Sequence, residues 1–316
     1  MRRKRPLIAP MLSHLAGIVL ASMALASAAT AQPQRPLVVA SKIDTEGALL
    51  GNMIVLVLEK SGVPVESRLQ LGPTKIVRAA LLAGEIDIYP EYTGNGAFFF
   101  NRESDPAWKQ AQEAYGAVQR LDRDANNLVW LERAPANNTW LIAVRGDVAK
   151  ARKLATMEDF AKHVREQPRD IKLAGSAEFV ESAAALPSFE RTYQFQMPRE
   201  QIVVLPGGDT AIMMRAAAQA VSGVNAAMVY GTDGAIAALD LVVMADPKGA
   251  QIVYEPAPVV RSAALDRYPG IGPSLSRVFS TLSLETLQRL NAKIAVEGQT
   301  PREVARTYLE QEGLLR

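Results

Sequence analysis

Beyond about residue 35, apolar positions follow two periods in turn, short runs of strand length and longer stretches with a 3.6-residue repeat. This alternation is the pattern of parallel sheets covered by helices. Leu37-Val38-Val39-Ala40 reads as a buried strand. Asp44 or Thr45 then caps a helix whose Leu49, Leu50, Met53, Ile54, Val57 and Leu58 share one face, stopping at Gly62 with Pro64 beyond. A second helix from about Thr74 to Ala83 stops at Gly84, and Ile86 to Tyr89 is the next strand, so the order is βαβαβ.

A polar helical pattern around Pro106 to Asp122 leads to Leu128-Val129-Trp130-Leu131 and breaks at Arg133 to Asn138, which reads as a crossover between lobes. A second series follows: a strand from Trp140 to Val144, a helix opened at Thr156 by a capping-box pattern, strands at Ile171 to Ala174 and Ile202 to Leu205, a helix from Thr210 to Val221 and a strand from Ala226 to Tyr230. Leu241 to Ala245 and Ile252 to Tyr254 read as strands that bring the chain back to the first lobe. Four helical patterns close the chain, the last opened by Pro301. The expected fold class is therefore α/β, two lobes joined by two crossovers with a ligand cleft between them. The first lobe takes residues 32–137 and 243–316 and the second takes 138–242, with hinges near Ala136 to Thr139 and Leu239 to Val242.

The first residues change the compartment. Arg2, Arg3, Lys4 and Arg5 precede an apolar run from about Met11 to Leu25, and Ala29-Thr30-Ala31 supplies the small residues of a cleavage site, so residues 1–31 read as a signal peptide cut after Ala31 and the mature protein as periplasmic. The chain has 35 Lys and Arg against 33 Asp and Glu, and the leader removes four of the bases, leaving 31 against 33. A near-neutral chain has no electrostatic footprint for nucleic acid. With no cysteine the fold must rest on its own core. No apolar run of membrane-spanning length follows the leader.

Open α/β sheets bind ligands where loops converge beyond strand ends. Three aromatic residues lie in such places: Tyr92 in Tyr89-Pro90-Glu91-Tyr92-Thr93-Gly94-Asn95-Gly96, Trp140 after Asn137-Asn138-Thr139, and Tyr230 in Tyr230-Gly231-Thr232-Asp233-Gly234. Ring faces suit a quaternary ammonium, which has no N–H to donate and is attracted to each face by roughly 0.5–2 kcal/mol. A carboxylate at the other end of a zwitterion needs donors, for which Lys42, Asn95 and Asn138 are candidates, and Thr232 is a further polar candidate. Other chemistries find few residues. The mature chain keeps one histidine, His163, on a polar helix, so neither a Cys-His pair nor a multi-histidine zinc site can be assembled, and no metal or cofactor is expected. No phosphate-binding glycine motif is complete. Glu91 and Glu178 are the carboxylates that a two-lobed hydrolase or transferase would use, and binding of another solute such as an amino acid is the remaining alternative.

Ser41-Lys42-Ile43-Asp44-Thr45-Glu46, Leu71-Gly72-Pro73-Thr74, the Pro90-Glu91-Tyr92-Thr93-Gly94 motif, Ala134 to Trp140, Ser176-Ala177-Glu178-Phe179, Tyr230 to Gly234 and Pro256 to Arg261 together resemble the osmoprotectant-binding proteins of ABC importers, of the OsmF type within the ProX/OpuC group. The resemblance spans the mature chain. It implies a type II periplasmic binding protein, monomeric and without catalysis, that closes on glycine betaine or a related compound and delivers it to a membrane permease. It also implies cage rings at Tyr92, Trp140 and Tyr230, with Lys42 and Asn95 as polar contacts. Trp140 stands where many relatives carry Tyr and Asn138 where many carry Asp. Ser182 stands where an arginine often holds the carboxylate, and Leu205 to Asp209 offers no further ring. Fewer rings and no arginine predict weak binding of betaine, or a different ligand.

Overall fold

The computed structural model describes residues 35–205 and 210–315. The expected leader and its cleavage site lie outside the described residues, as does the 206–209 segment. Ten strands are described: β1 (Leu37–Lys42), β2 (Val65–Gly72), β3 (Ile88–Tyr92), β4 (Leu128–Trp130), β5 (Trp140–Arg145), β6 (Leu173–Gly175), β7 (Ile202–Val204), β8 (Ala226–Tyr230), β9 (Leu241–Val243) and β10 (Pro256–Arg261). They form two five-stranded sheets, ordered β2-β1-β3-β10-β4 and β7-β6-β8-β5-β9. Each sheet has a parallel trio plus one antiparallel strand that has just arrived from the other sheet: β5 enters beside β8, and β10 enters beside β3. The two α/β lobes expected from the alternating pattern are these two sheets and their helices.

β1 is buried throughout because it is internal, flanked in parallel by β2 and β3. β2 is the middle strand of the βαβαβ order and has no apolar run. Its Glu66, Ser67, Arg68 and Gln70 are exposed, as an edge position allows. The helix Thr45–Lys60 is capped by Asp44, whose carboxylate accepts from Gly47 N. It is buried from Glu46 to Leu58 because it packs between β1–β2 and the C-terminal helix Pro301–Gln311. The first sheet carries a core on each face, one around Leu49, Ile54 and Phe279 and the other around Tyr89, Trp108 and Trp130. The second lobe has one, around Phe160, Phe179 and Phe189. Thr156 and Asp159 form the expected capping box on the helix Met157–Glu166.

The return to the first sheet differs from the sequence reading. Leu241–Val243 pairs with β5 and stays in the second sheet, so the chain has not yet crossed at Leu239 to Val242. Met244 and Ala250 still pack in the second core, whereas Ile252 and Tyr254 pack with the first. Ile252 to Tyr254 is not a strand. The returning strand is β10, whose Pro256 and Pro258 hide it from a pattern search, since proline cannot donate to a ladder. They are tolerated in this internal strand because β4 has already ended beside them. Pro258 and Pro256 only accept there, from Leu131 N and Ala134 N.

Candidate functional site

Two passages join the lobes, and they are stitched to each other. Asn138 N donates to Tyr254 O at 2.8 Å, Tyr254 N donates to Asn137 Oδ1 at 2.8 Å, and Thr139 Oγ1 donates to Ile252 O at 2.7 Å. The ends of β1, β3, β5 and β8 are placed around this junction.

On the first-lobe side, β3 ends in Glu91 and Tyr92. Glu91 is fully buried, and its Oε1 accepts from Lys42 Nζ at 2.5 Å, Asn95 Nδ2 at 2.7 Å and Tyr92 N at 2.6 Å, while Oε2 accepts from Tyr89 Oη at 2.8 Å. The Lys42 ammonium also lies 4.5 Å from the centroid of the Tyr92 ring, so one face of that ring already holds a cation of the protein itself. A carboxylate with four donors, one of them the ammonium of an ion pair, is an anchor for its neighbours.

Glu46, in the first turn of the helix Thr45–Lys60, is the second buried carboxylate. Its Oε1 accepts from Tyr92 Oη at 2.7 Å and Asn138 Nδ2 at 3.2 Å, and its Oε2 from Asn291 Nδ2 at 2.6 Å. The Thr232 hydroxyl faces the same group. Burial raises the Glu46 carboxyl to about 7 against the opposing pull of these donors, and the nearby Asp44 charge adds to the rise. Burial also lifts the Tyr92 phenol well above its ordinary range, with the Glu46 and Asp44 charges adding to it.

On the second-lobe side, Trp140 and Tyr230 are directly opposed cross-strand neighbours. The Trp140 ring meets Phe179 edge-on at 6.5 Å and Tyr254 at 6.4 Å with a 59° tilt. Phe179 is held in its short helix by the Ser176 cap. The indole N–H of Trp140 lies beside the Tyr230 phenol but reaches no acceptor in hydrogen-bond geometry. Burial moves the Tyr230 phenol to about 12. Tyr254 is raised too, by burial first and then by Tyr230, Glu178 and Glu91, so charges of both lobes act on it.

The loop after β8 is docked on the helix Leu284–Ala295. Gln288 Nε2 donates to Gly231 O at 2.8 Å and Asn291 Nδ2 to Thr232 O at 2.9 Å. Glycine is required at both ends of this loop: a Cβ on Gly234 would stand 2.1 Å from Ala292 N, and one on Gly231 would stand 2.2 Å from Asn137 O.

The sequence-derived residues thus fall into two connected groups. Lys42, Tyr92 and Asn95 gather around Glu91. Trp140 and Tyr230 stand together, and Asn138 links the groups, through Glu46 to Tyr92 and through its backbone to Tyr254. Among the described residues no ring pair joins Tyr92 to Trp140 or Tyr230. Thr232 is 2 % exposed and faces the Glu46 network. Sequence reasoning missed Tyr254, Phe179, Glu46 and Asn291. Asn291 carried a signal, a polar residue on the buried stripe of a helix beside Leu287 and Leu290. Tyr254 was hidden by its reading as strand. Among the described residues no cluster of His, Cys, Asp and Glu could hold a metal ion, and no helix is long and apolar enough to cross a membrane.

The profile of the family described as the substrate binding domain of ABC-type glycine betaine transport systems matches residues 35–311. The glycine betaine-binding protein YehZ of Escherichia coli (strain K12) is 53 % identical over 306 residues, covering 96 % of this chain and 99 % of that protein. A glycine-betaine-binding protein of Pseudomonas aeruginosa is 30 % identical, covering 94 % of each. The solved structure of apo YehZ from Escherichia coli superposes with a TM-score of 0.76 at 56 % identity, over 88 % of this chain and 99 % of that one.

Proposed function

The chain belongs to the substrate-binding domains of ABC-type glycine betaine transport systems, and from that premise we propose that it is the periplasmic receptor of an importer for glycine betaine or a related quaternary ammonium compound. The family is one of transport proteins, not of enzymes. The observation that carries the ligand class is the ring group at the lobe junction: Trp140 from β5, backed by Phe179 and met by Tyr254 from the returning passage, beside Tyr230. Rings contributed by different chain segments offer π faces to a methylated nitrogen, and a ligand held between lobes favours their closure because it contacts both.

In this reading the first lobe comprises residues 36–137 and 252–315, the second comprises 138–251, and the stitched passages are the hinge. Tyr92, Trp140 and Tyr230 form the cage, with Lys42, Asn95, Asn138 and Thr232 as its polar surround. The occupied face of Tyr92 supports weak binding. The receptor is exported by its leader, acts as a monomer, needs no cofactor and hands its ligand to a membrane permease.

A thermal-shift screen tests the class. A ligand at about a hundred times its Kd adds about 2.7 kcal/mol to the folded state, a rise of several degrees in melting temperature. Glycine betaine should give that rise at millimolar supply, and amino acids without a quaternary nitrogen should not. A rise with amino acids alone would reassign the site to another solute.

A further inference from the structure

We propose that the indole N–H of Trp140 is the donor that reads the ligand's carboxylate, a selectivity role distinct from the packing of its ring; this rests on the receptor reading above. Three of the other side-chain donors at the junction already face a carboxylate of the protein, and the Tyr230 and Tyr254 phenols are weaker, neutral donors. Lys42 Nζ and Asn95 Nδ2 point to Glu91 Oε1, and Asn138 Nδ2 points to Glu46 Oε1. A ligand carboxylate brought to any of them would sit against Glu91 or Glu46, a like charge at close range in a site that excludes water.

Trp140 has no such neighbour on its N–H. The Nε1 atom is buried and makes no hydrogen bond of good geometry, the Tyr230 phenol beside it being the nearest acceptor, and an indole nitrogen can only donate, so no rearrangement of its own protons satisfies it. Its direction is fixed by packing: the backbone is paired to Tyr230, and the ring is wedged between Phe179 and Tyr254. An unsatisfied donor held in place at the lobe junction is satisfied when an acceptor arrives with the ligand. Asn138 Oδ1 is the complementary atom, buried without a donor and tied through its backbone to Tyr254. It is placed to meet the polarised C–H groups of a methylated ammonium, which need an acceptor and offer no N–H. The unsatisfied donor of Trp140 and the unsatisfied acceptor of Asn138 match the two ends of a zwitterion.

The test uses the mature protein and two probes, glycine betaine and choline, which share the trimethylammonium group and differ in the carboxylate. The chain has three tryptophans, hence three indole N–H resonances in a nitrogen-15 spectrum, and Trp140→Phe assigns one by its loss. Glycine betaine should move the Trp140 resonance downfield and slow its exchange with water, and choline should not. In calorimetry, Trp140→Phe should weaken glycine betaine about ten- to hundredfold, the range for losing a hydrogen bond to a charged acceptor. Choline should lose only what the smaller ring face gives up, so its loss should stay well below that of glycine betaine. A Trp140 resonance that stays in place while betaine binds, or equal losses for both probes in Trp140→Phe, overturns the donor assignment. Trp140→Ala separates this from the receptor reading: full betaine binding by that variant, or no heat from betaine with the unaltered protein, removes the site itself and the donor with it.

Discussion

Replacing Lys42 with methionine should cost the folded protein about 3–5 kcal/mol, the usual penalty for stranding the partner of a buried ion pair. Glu91 has no exposed surface, and Lys42 is 7 % exposed, so water cannot take over from the missing ammonium. Three donors remain on the carboxylate, Asn95 Nδ2, Tyr92 N and Tyr89 Oη, but none carries a charge. The double variant Lys42→Met with Glu91→Gln should recover most of the loss. A glutamine there keeps its oxygen for Asn95 and Tyr92 and turns its amide toward Tyr89, whose hydroxyl can accept as readily as donate. Denaturant unfolding of the two single variants and the double gives the coupling energy directly. A double variant as unstable as Lys42→Met alone, or a Lys42→Met loss below about 1 kcal/mol, would show that the pair does not hold this corner of the lobe.

That pair also shows where the sequence stops being informative. Lys42 and Glu91 are 49 positions apart, and nothing periodic relates them. What local pattern could deliver was the end of β1, the end of β3 and a helix capped between them, because strand length, capping chemistry and the 3.6 repeat are set by neighbours in the chain. β1 and the helix lie where expected, whereas β3 runs to Tyr92, beyond the expected end at Tyr89. The edge strand β2 was unreadable by residue because its outward positions are polar, and β10 was unreadable because its prolines forbid a strand to any rule that ignores where the neighbouring strand ends. At the junction, Tyr92, Trp140 and Tyr230 were legible as rings in glycine- and asparagine-rich turns. The atoms they meet were not: Tyr254 reaches Trp140 from more than a hundred residues away, and Asn291 reaches Glu46 across 245. Lys42, Asn95 and Asn138 were legible as donors, but their acceptors proved to belong to the protein.

Glu46 gives the second large effect, and its sign follows from linkage. The carboxyl rises from its ordinary 4.5 to about 7 on folding, chiefly through burial. The folded state therefore holds a proton that the unfolded chain has released between those two values, and stability from this group is complete below about pH 4.5 and lost as pH climbs through about 7. The shift corresponds to about 3 kcal/mol of penalty at pH 8, with no discount for solvent because the group is wholly buried. The groups facing Glu46 are Asp44, the cap of its helix, whose charge adds to the rise, and Tyr92 from β3, with Asn138, Asn291 and Thr232 completing the shell. Glu46→Gln is uncharged at every pH, so its stability relative to the unaltered protein should improve by about 2.5 kcal/mol between pH 5 and pH 8. Whatever hydrogen bond the amide loses shifts the whole difference by a constant and leaves that slope intact. Parallel denaturation curves at pH 5, 6, 7 and 8 read the slope, and a difference between the two proteins that stays flat across the series would mean that Glu46 does not carry the proton. The same carboxyl accepts from the Tyr92 hydroxyl and faces Thr232, so a proton gained there acts on both of these hydrogen bonds.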